Sequence, residues 1–238
     1  YAYRAAVPIT YVAFDFDAGV AADPQGGFGT QRLMLSSLTS GAGGRDAMQI
    51  AEQQERLGAT IGANGTLDRS SLTLTTMSAN LSLSLDLFAD VVMRPDFAET
   101  EVTRERNQQL AAIAAEGTQP NGLAQRTFPA LVFGPTHPYG RPSSGLGSEA
   151  SVSPLTRDNL IAFHHTWIRP ETARVFVVSD RPLGEITRAL DTRFGGWRGA
   201  AAPVGRKNFD TPIPAPRSRI VIVDRPQSPQ SVIYAGAV

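Results

Sequence analysis

Residues 9–18, ITYVAFDFDA, alternate apolar and polar positions, with Val12, Phe14 and Phe16 on one face. A period of two predicts a half-buried strand. Gly19 to Gly29 holds Pro24 and several glycines and predicts a loop. Residues 28–39 then read as a helix with Phe28, Leu33, Met34, Leu35 and Leu38 inward, broken at Ser40-Gly41-Ala42-Gly43-Gly44. Asp46 is the expected N-cap of a second helix over 47–57. Met48, Ile50, Ala51 and Leu57 lie near one face there, and Gly58 is the stop. Residues 59–65 and 70–78 predict paired strands joined by 66–69, since Leu72 and Leu74 alternate with Ser71, Thr73 and Thr75. The run Leu81, Leu83, Leu85, Leu87 also alternates and taken alone could be a strand. Leu81, Leu85, Phe88 and Val92 fit the 3.6 period as well, and Arg94-Pro95 stops the run, so 80–93 is read as a helix.

A long polar-faced helix is expected over 98–116, with Val102, Gln109, Leu110 and Ile113 as its inner stripe. Pro120 opens another through Phe133, interrupted at Pro129. Residues 134–154 are rich in Gly, Pro and Ser and predict a long loop of the kind that carries function or wraps a neighbour. Ser153 is the expected cap of a helix with Leu155, Leu160, Ile161 and Phe163 inward. A strand over 172–179 follows, with the apolar run Val175 to Val178, and then a last helix over 182–194. Residues 199–216 contain four prolines and four alanines with little periodicity, and read as an extended linker. Residues 219–224 and 231–234 read as two strands with nothing after them to cover them, too little for an independent domain. The expected organisation is one α+β lobe over 1–198, its first strand cut short at the N-terminus. The linker 199–216 follows, and 217–238 opens an incomplete second lobe.

Composition narrows the function. With 238 residues, 42% of them hydrophobic, the chain is long enough to bury a full core. Lys+Arg and Asp+Glu are both 22, so the net charge is zero and there is no bulk pull toward nucleic acid. The absence of cysteine excludes disulfides, thiolate metal sites and a Cys nucleophile. No apolar run approaches the roughly 18–20 residues of a membrane span, and no signal peptide is read, although the chain begins mid-pattern.

Few residues suggest chemistry. His164 and His165 are adjacent, about 100° apart on a helix, and cannot chelate one metal from one face; one is expected to pack and the other to be exposed. His137 belongs to a His-Pro-Tyr-Gly turn. Gly27-x-Gly29 lacks the third glycine of a dinucleotide fingerprint and the Lys-Ser/Thr of a P-loop. Ser143-Ser144-Gly145 lacks the strand-turn-helix context of a nucleophile elbow. Glu99, Glu101 and Glu105 read as a solvated helix face.

In this order the chain resembles the pitrilysin/insulinase family of zinc metallopeptidases. The resemblance rests on Asp17-Ala18-Gly19, Gly27-Phe28-Gly29, Glu55-Arg56-Leu57-Gly58-Ala59, Arg94-Pro95-Asp96-Phe97 and Arg104-Glu105-Arg106. Later come Gln119-Pro120, His137-Pro138-Tyr139-Gly140 and Arg169-Pro170, with Pro229-Gln230-Ser231 beyond the linker. Each fragment is short; the order and spacing carry the weight. The resemblance implies an α+β lobe with a mostly antiparallel sheet of about five to six strands covered by helices. Such lobes come in pairs. Active members carry H-x-x-E-H on the helix after the Gly-rich loop. Two His at i and i+4 share a face and bind zinc, the Glu between is general base, and a later Glu completes the ligand set.

Carried onto this chain, those positions are Thr30, Leu33 and Met34, with Ala112 at the later ligand and Glu105 seven residues before it. A two-residue shift gives Arg32, Leu35 and Ser36. Neither set can hold zinc, and Glu105 is then either a solubilising acid or a remnant of the site. The resemblance therefore implies a lobe with no catalytic residue, metal or cofactor of its own. Zinc is expected in an H-x-x-E-H partner lobe or subunit, with this lobe walling a chamber that confines a peptide substrate. The alternative is an assembly subunit with no peptidase partner, like the core proteins of respiratory complexes. A bacterial periplasm or cell envelope is the expected compartment.

Overall fold

The computed structural model describes residues 1–4, 7–215, 217–224, 226 and 230–237. Its centre is a five-stranded sheet in the order β1-β7-β2-β6-β5. The strands are β1 (Ala2–Tyr3), β2 (Ile9–Phe16), β5 (Ala59–Gly65), β6 (Ser70–Met77) and β7 (Arg174–Ser179). β2–β6, β2–β7 and β5–β6 are antiparallel, and only the short β1–β7 pair is parallel. A two-residue hairpin, β3 (Gly41–Ala42) with β4 (Arg45–Asp46), fills the Gly-rich break.

Register puts Val12, Phe14 and Phe16 of β2 beside Leu74, Leu72 and Ser70 of β6 on one face. Helices cover that face. α3 (Leu81–Met93) and α8 (Leu183–Phe194) meet over it, with Phe14 edge-on to Phe88 at 5.4 Å and 4.7 Å from Phe194. Aromatic rings at such separations prefer edge-to-face or tilted packing. Leu81, Leu85, Phe88 and Val92 are buried while Leu83 is 59% exposed, the pattern of a helix and not of a strand.

α1 (Thr30–Ser37) packs against α4 (Glu99–Gly117) and α7 (Arg157–Trp167). α2 (Ala47–Leu57) starts in a reciprocal cap, Gln49 amide to Asp46 Oδ1 at 2.8 Å and Asp46 amide to Gln49 Oε1 at 3.0 Å, and stops at Gly58. Only Ile50 and Leu57 of α2 are buried. Met48 is 72% exposed and Ala51 is also exposed, because the helix touches the lobe along a narrower stripe than its apolar residues suggest.

Other boundaries also differ from expectation. Ser153 ends the short α6 (Glu149–Val152), and α7 begins at Thr156, whose amide bonds Asn159 Oδ1 at 2.9 Å. α5 (Pro120–Phe133) runs unbroken through Pro129, so the proline costs a helical hydrogen bond without ending the helix. Of the apolar run in β7 only Val177 is buried. Phe176 (53% exposed) and Val178 (39%) lie opposite Ala13 and Tyr11 on the sheet face away from α3 and α8. Residues 219–224 and 231–234 take no strand pairing among the described residues. No helix of the described residues is long and apolar enough to cross a membrane.

Candidate functional site

The position of interest is the start of α1. The chain reaches it through a 3-10 turn at Val20–Ala22 and Gly29, which has φ 103. A Cβ at Gly29 would lie 2.7 Å from Gln109 Nε2 and 2.8 Å from the Leu146 carbonyl, so only glycine fits. Gln109 uses that closeness, donating to the carbonyls of Gly29 (3.1 Å) and Leu146 (2.9 Å). The first amides of the helix are capped from a distance: Asp23 accepts from the amides of Gly29 and Gln31, both at 2.7 Å. The anion position at this helix start is thus filled by the chain's own carboxylate. Burial pushes the Asp23 carboxyl up to about 7, opposed by those two amides and by the Arg141 guanidinium.

The loop 134–154 clamps the same region. Arg141 donates to the carbonyls of Val20 (2.8 Å) and Asp23 (3.0 Å) and stacks 4.0 Å over the Phe28 ring. Ser151 donates to the Phe28 carbonyl at 2.7 Å. The long loop therefore wraps its own lobe. His137 accepts the Tyr139 amide at 3.0 Å and stacks on Phe133, a turn role.

Along α1, Thr30 is 1% exposed and donates to the Gly27 carbonyl at 2.6 Å, and Leu33 and Met34 are fully buried in the core. On the opposite side Arg32 is exposed and Ser36 half-buried, with Leu35 buried between them. α4 supplies Glu105 near the C-terminal end of α1, where it accepts from Ser40 Oγ at 3.3 Å and pairs with Arg104 at 2.7 Å. Its side chain is only 12% exposed, so Glu105 does not belong to a solvated acidic face as Glu99 does. Ala112, two turns on, is half-buried and offers only a methyl group.

Zinc does not fit this donor set. One hydroxyl that is already donating, two core apolar side chains and an alanine provide no ligand, and the shifted set provides a cation, a leucine and a serine. Among the described residues no group of three or more His, Cys, Asp or Glu could hold a metal ion. His164 and His165 divide as expected: His165 is exposed, and His164 is buried with Nε2 2.9 Å from the Val92 carbonyl at the end of α3. Burial lowers His164 to about 4, more than the Val92 contact raises it.

The family model described as insulinase (peptidase family M16) matches residues 2–135, and the model described as peptidase M16 inactive domain matches residues 154–237. The second match includes α7, β7 and α8, and β7 is hydrogen-bonded to β2 of the first, so both models cover parts of one lobe. An uncharacterized zinc protease of Mycobacterium tuberculosis (strain H37Rv) is 30% identical over 186 residues, covering 77% of this chain and 42% of that protein. A crystal structure of a peptidase M16 inactive domain from Pseudomonas fluorescens superposes with TM-score 0.79 at 27% identity, covering 90% of this chain and 50% of the other. Pitrilysin superposes with TM-score 0.71 at 20% identity over 86% of this chain and 23% of its own. The chain spans less than half the length of these curated relatives.

Proposed function

That the chain belongs to the insulinase (M16) peptidase family is the premise from which we propose that it is a non-catalytic lobe of an M16 assembly, walling a chamber opposite an H-x-x-E-H lobe. The observation that carries this reading is α1 itself. Its inward face is core, its outward face is Arg32 and Ser36, and Ala112, where the family resemblance puts the later ligand, offers only a methyl group. The outward side is the one a solvent-reached metal site would use, which favours the register Arg32, Leu35, Ser36 for the vanished motif.

Two further features support a lobe with neighbours. The sheet face bearing Tyr11, Phe176 and Val178 has apolar side chains and no covering helix among the described residues. Exposed apolar sheet surface of this kind calls for a covering element. Ile220, Ile222 and Ile233 are also largely exposed, which supports reading the segment after the Pro/Ala-rich stretch as the opening of a second lobe.

In this role the lobe encloses and positions peptide while hydrolysis, with its zinc, belongs to the partner. The test is a peptidase assay of the full-length chain, alone and mixed with an H-x-x-E-H partner, with metal content measured on each. Activity only in the mixture, and no zinc retained by this chain, is expected. Peptidase activity of this chain alone that disappears on chelation would overturn the reading.

A further inference from the structure

The Pro/Ala-rich segment after α8 reads in sequence as an extended linker, and three separate parts of the lobe hold it. At α7, Arg169 Nη1 donates to the Ala202 carbonyl at 2.5 Å, and the Gly205 amide donates to the Thr166 carbonyl at 3.2 Å. Gly205 lies so close to the Trp167 indole that a Cβ there would sit 2.5 to 2.6 Å from three ring carbons. At the ends of β2 and the β5–β6 turn, Lys207 Nζ reaches Asp17 Oδ1 at 2.6 Å, the Asp68 carbonyl at 2.8 Å and Asp68 Oδ1 at 3.6 Å. At the 137–140 turn, Phe209 packs 5.3 Å from the Tyr139 ring and 6.2 Å from His137. Tyr139 also donates to Asp68 Oδ1 at 2.8 Å, which holds the carboxylate that faces Lys207.

We propose that residues 199–210 are a docked strap latched by Lys207, so that the chain is carried from the end of α8 to a fixed place beside the 137–140 turn and not released freely into solvent. Lys207 is the only lysine in the chain, and its side chain is 5% exposed while its neighbour Arg206 is exposed. Covering an ammonium that far is unfavourable unless oxygen partners replace its water, and here two carboxylates and a carbonyl do so. A lysine stem is slim and ends in a point charge, which suits a narrow gap between two aspartates better than a planar guanidinium. An unlatched segment of this composition would instead remain extended and hydrated. Beyond the latch the path continues along α5. Pro214 approaches Gly134, Arg219 donates to the Leu131 carbonyl, and Tyr234 packs 5.9 Å from Phe128 and takes a bond from Gln125.

The latch stands apart from the question of zinc and of the partner lobe. It is tested on the full-length chain by acylating Lys207 with an amine-reactive ester under native and denaturing conditions, mapped by mass spectrometry, alongside hydrogen exchange of the strap. Native Lys207 is expected to react at least about tenfold more slowly than in the unfolded chain. Lys207→Met is expected to speed exchange of the Gly205 amide, which donates to the Thr166 carbonyl, by a similar factor while α1 and α3 keep their protection. Native acylation at the unfolded rate, or strap exchange unchanged by Lys207→Met, would overturn the proposal. The wild-type acylation measurement needs no substitution, and none of these readouts depends on peptidase activity.

Discussion

Asp23 and His164 are buried titratable side chains whose folded-state shifts oppose each other. Asp23 is raised from the ordinary 3.8 to about 7, so between those values the folded lobe keeps a proton that the unfolded chain has released. Its contribution to stability therefore falls as pH rises from about 4 to 7. His164 is lowered from 6.5 to about 4, so over that window the unfolded chain binds a proton that the folded lobe does not. Its contribution rises with pH from 4 to 6.5 and is level above. Each slope can reach about 1.4 kcal/mol per pH unit, so the pair largely cancels between pH 4.5 and 6.5. Asp23→Asn should uncover a stability that rises with pH across that range, and His164→Gln one that falls, read by urea unfolding at three pH values. Slopes of the same sign in both variants would contradict the assignment. The two histidines were legible in sequence, because adjacent helix positions must face different ways. Asp23 was not, because its bonds reach six and eight residues ahead through a loop whose closure depends on Arg141 and Gln109, far along the chain.

At the scale of elements, α1 separates what periodicity can show from what it cannot. The apolar spacing placed a helix there and put Leu33, Met34 and Leu38 inward, as the structure has them. The register in which the family's motif would fall on α1 depends on which face meets solvent, and that is set by α4 and α7 packing on α1. Placing Glu at Leu33 or His at Met34 would bury a charged or polar group in the core without a partner, at a cost of several kcal/mol. Leu33→Glu with Met34→His should therefore abolish cooperative thermal unfolding. Arg32→His with Ser36→His falls on the outer side and should shift the unfolding temperature by no more than a few degrees. Equal damage from both pairs would mean that the outward face is not free. The same limit explains α2 and β7: Met48 and the run Val175 to Val178 are apolar enough for a core, but nothing in a local window says which side has a neighbour. The contacts of Lys207 are illegible in sequence for a related reason, since it meets Asp17 and Asp68 only once β2 and the β5–β6 turn are side by side.

For the whole molecule, the lobe has one sheet face covered by α3 and α8 and one with no covering helix among the described residues, and the proposed function predicts a neighbour over the second. Phe176 offers a way to measure this. A substitution at a solvent-exposed position away from special features usually changes stability by less than about 0.5 kcal/mol, whereas removing a buried Phe ring costs roughly 3–5 kcal/mol. Phe176→Thr exchanges an aromatic for a β-branched residue, both favoured in strands, so strand preference contributes little to the outcome. In the full-length chain the substitution should cost more than about 2 kcal/mol in denaturant unfolding if a second lobe or a partner lies over Tyr11, Phe176 and Val178. Phe88→Ala on the covered face is the internal reference, expected in the 3–5 kcal/mol range whatever surrounds the lobe. A Phe176→Thr cost near zero beside a full Phe88→Ala cost would leave the sheet face open to water and remove the support that face gives to a covering neighbour.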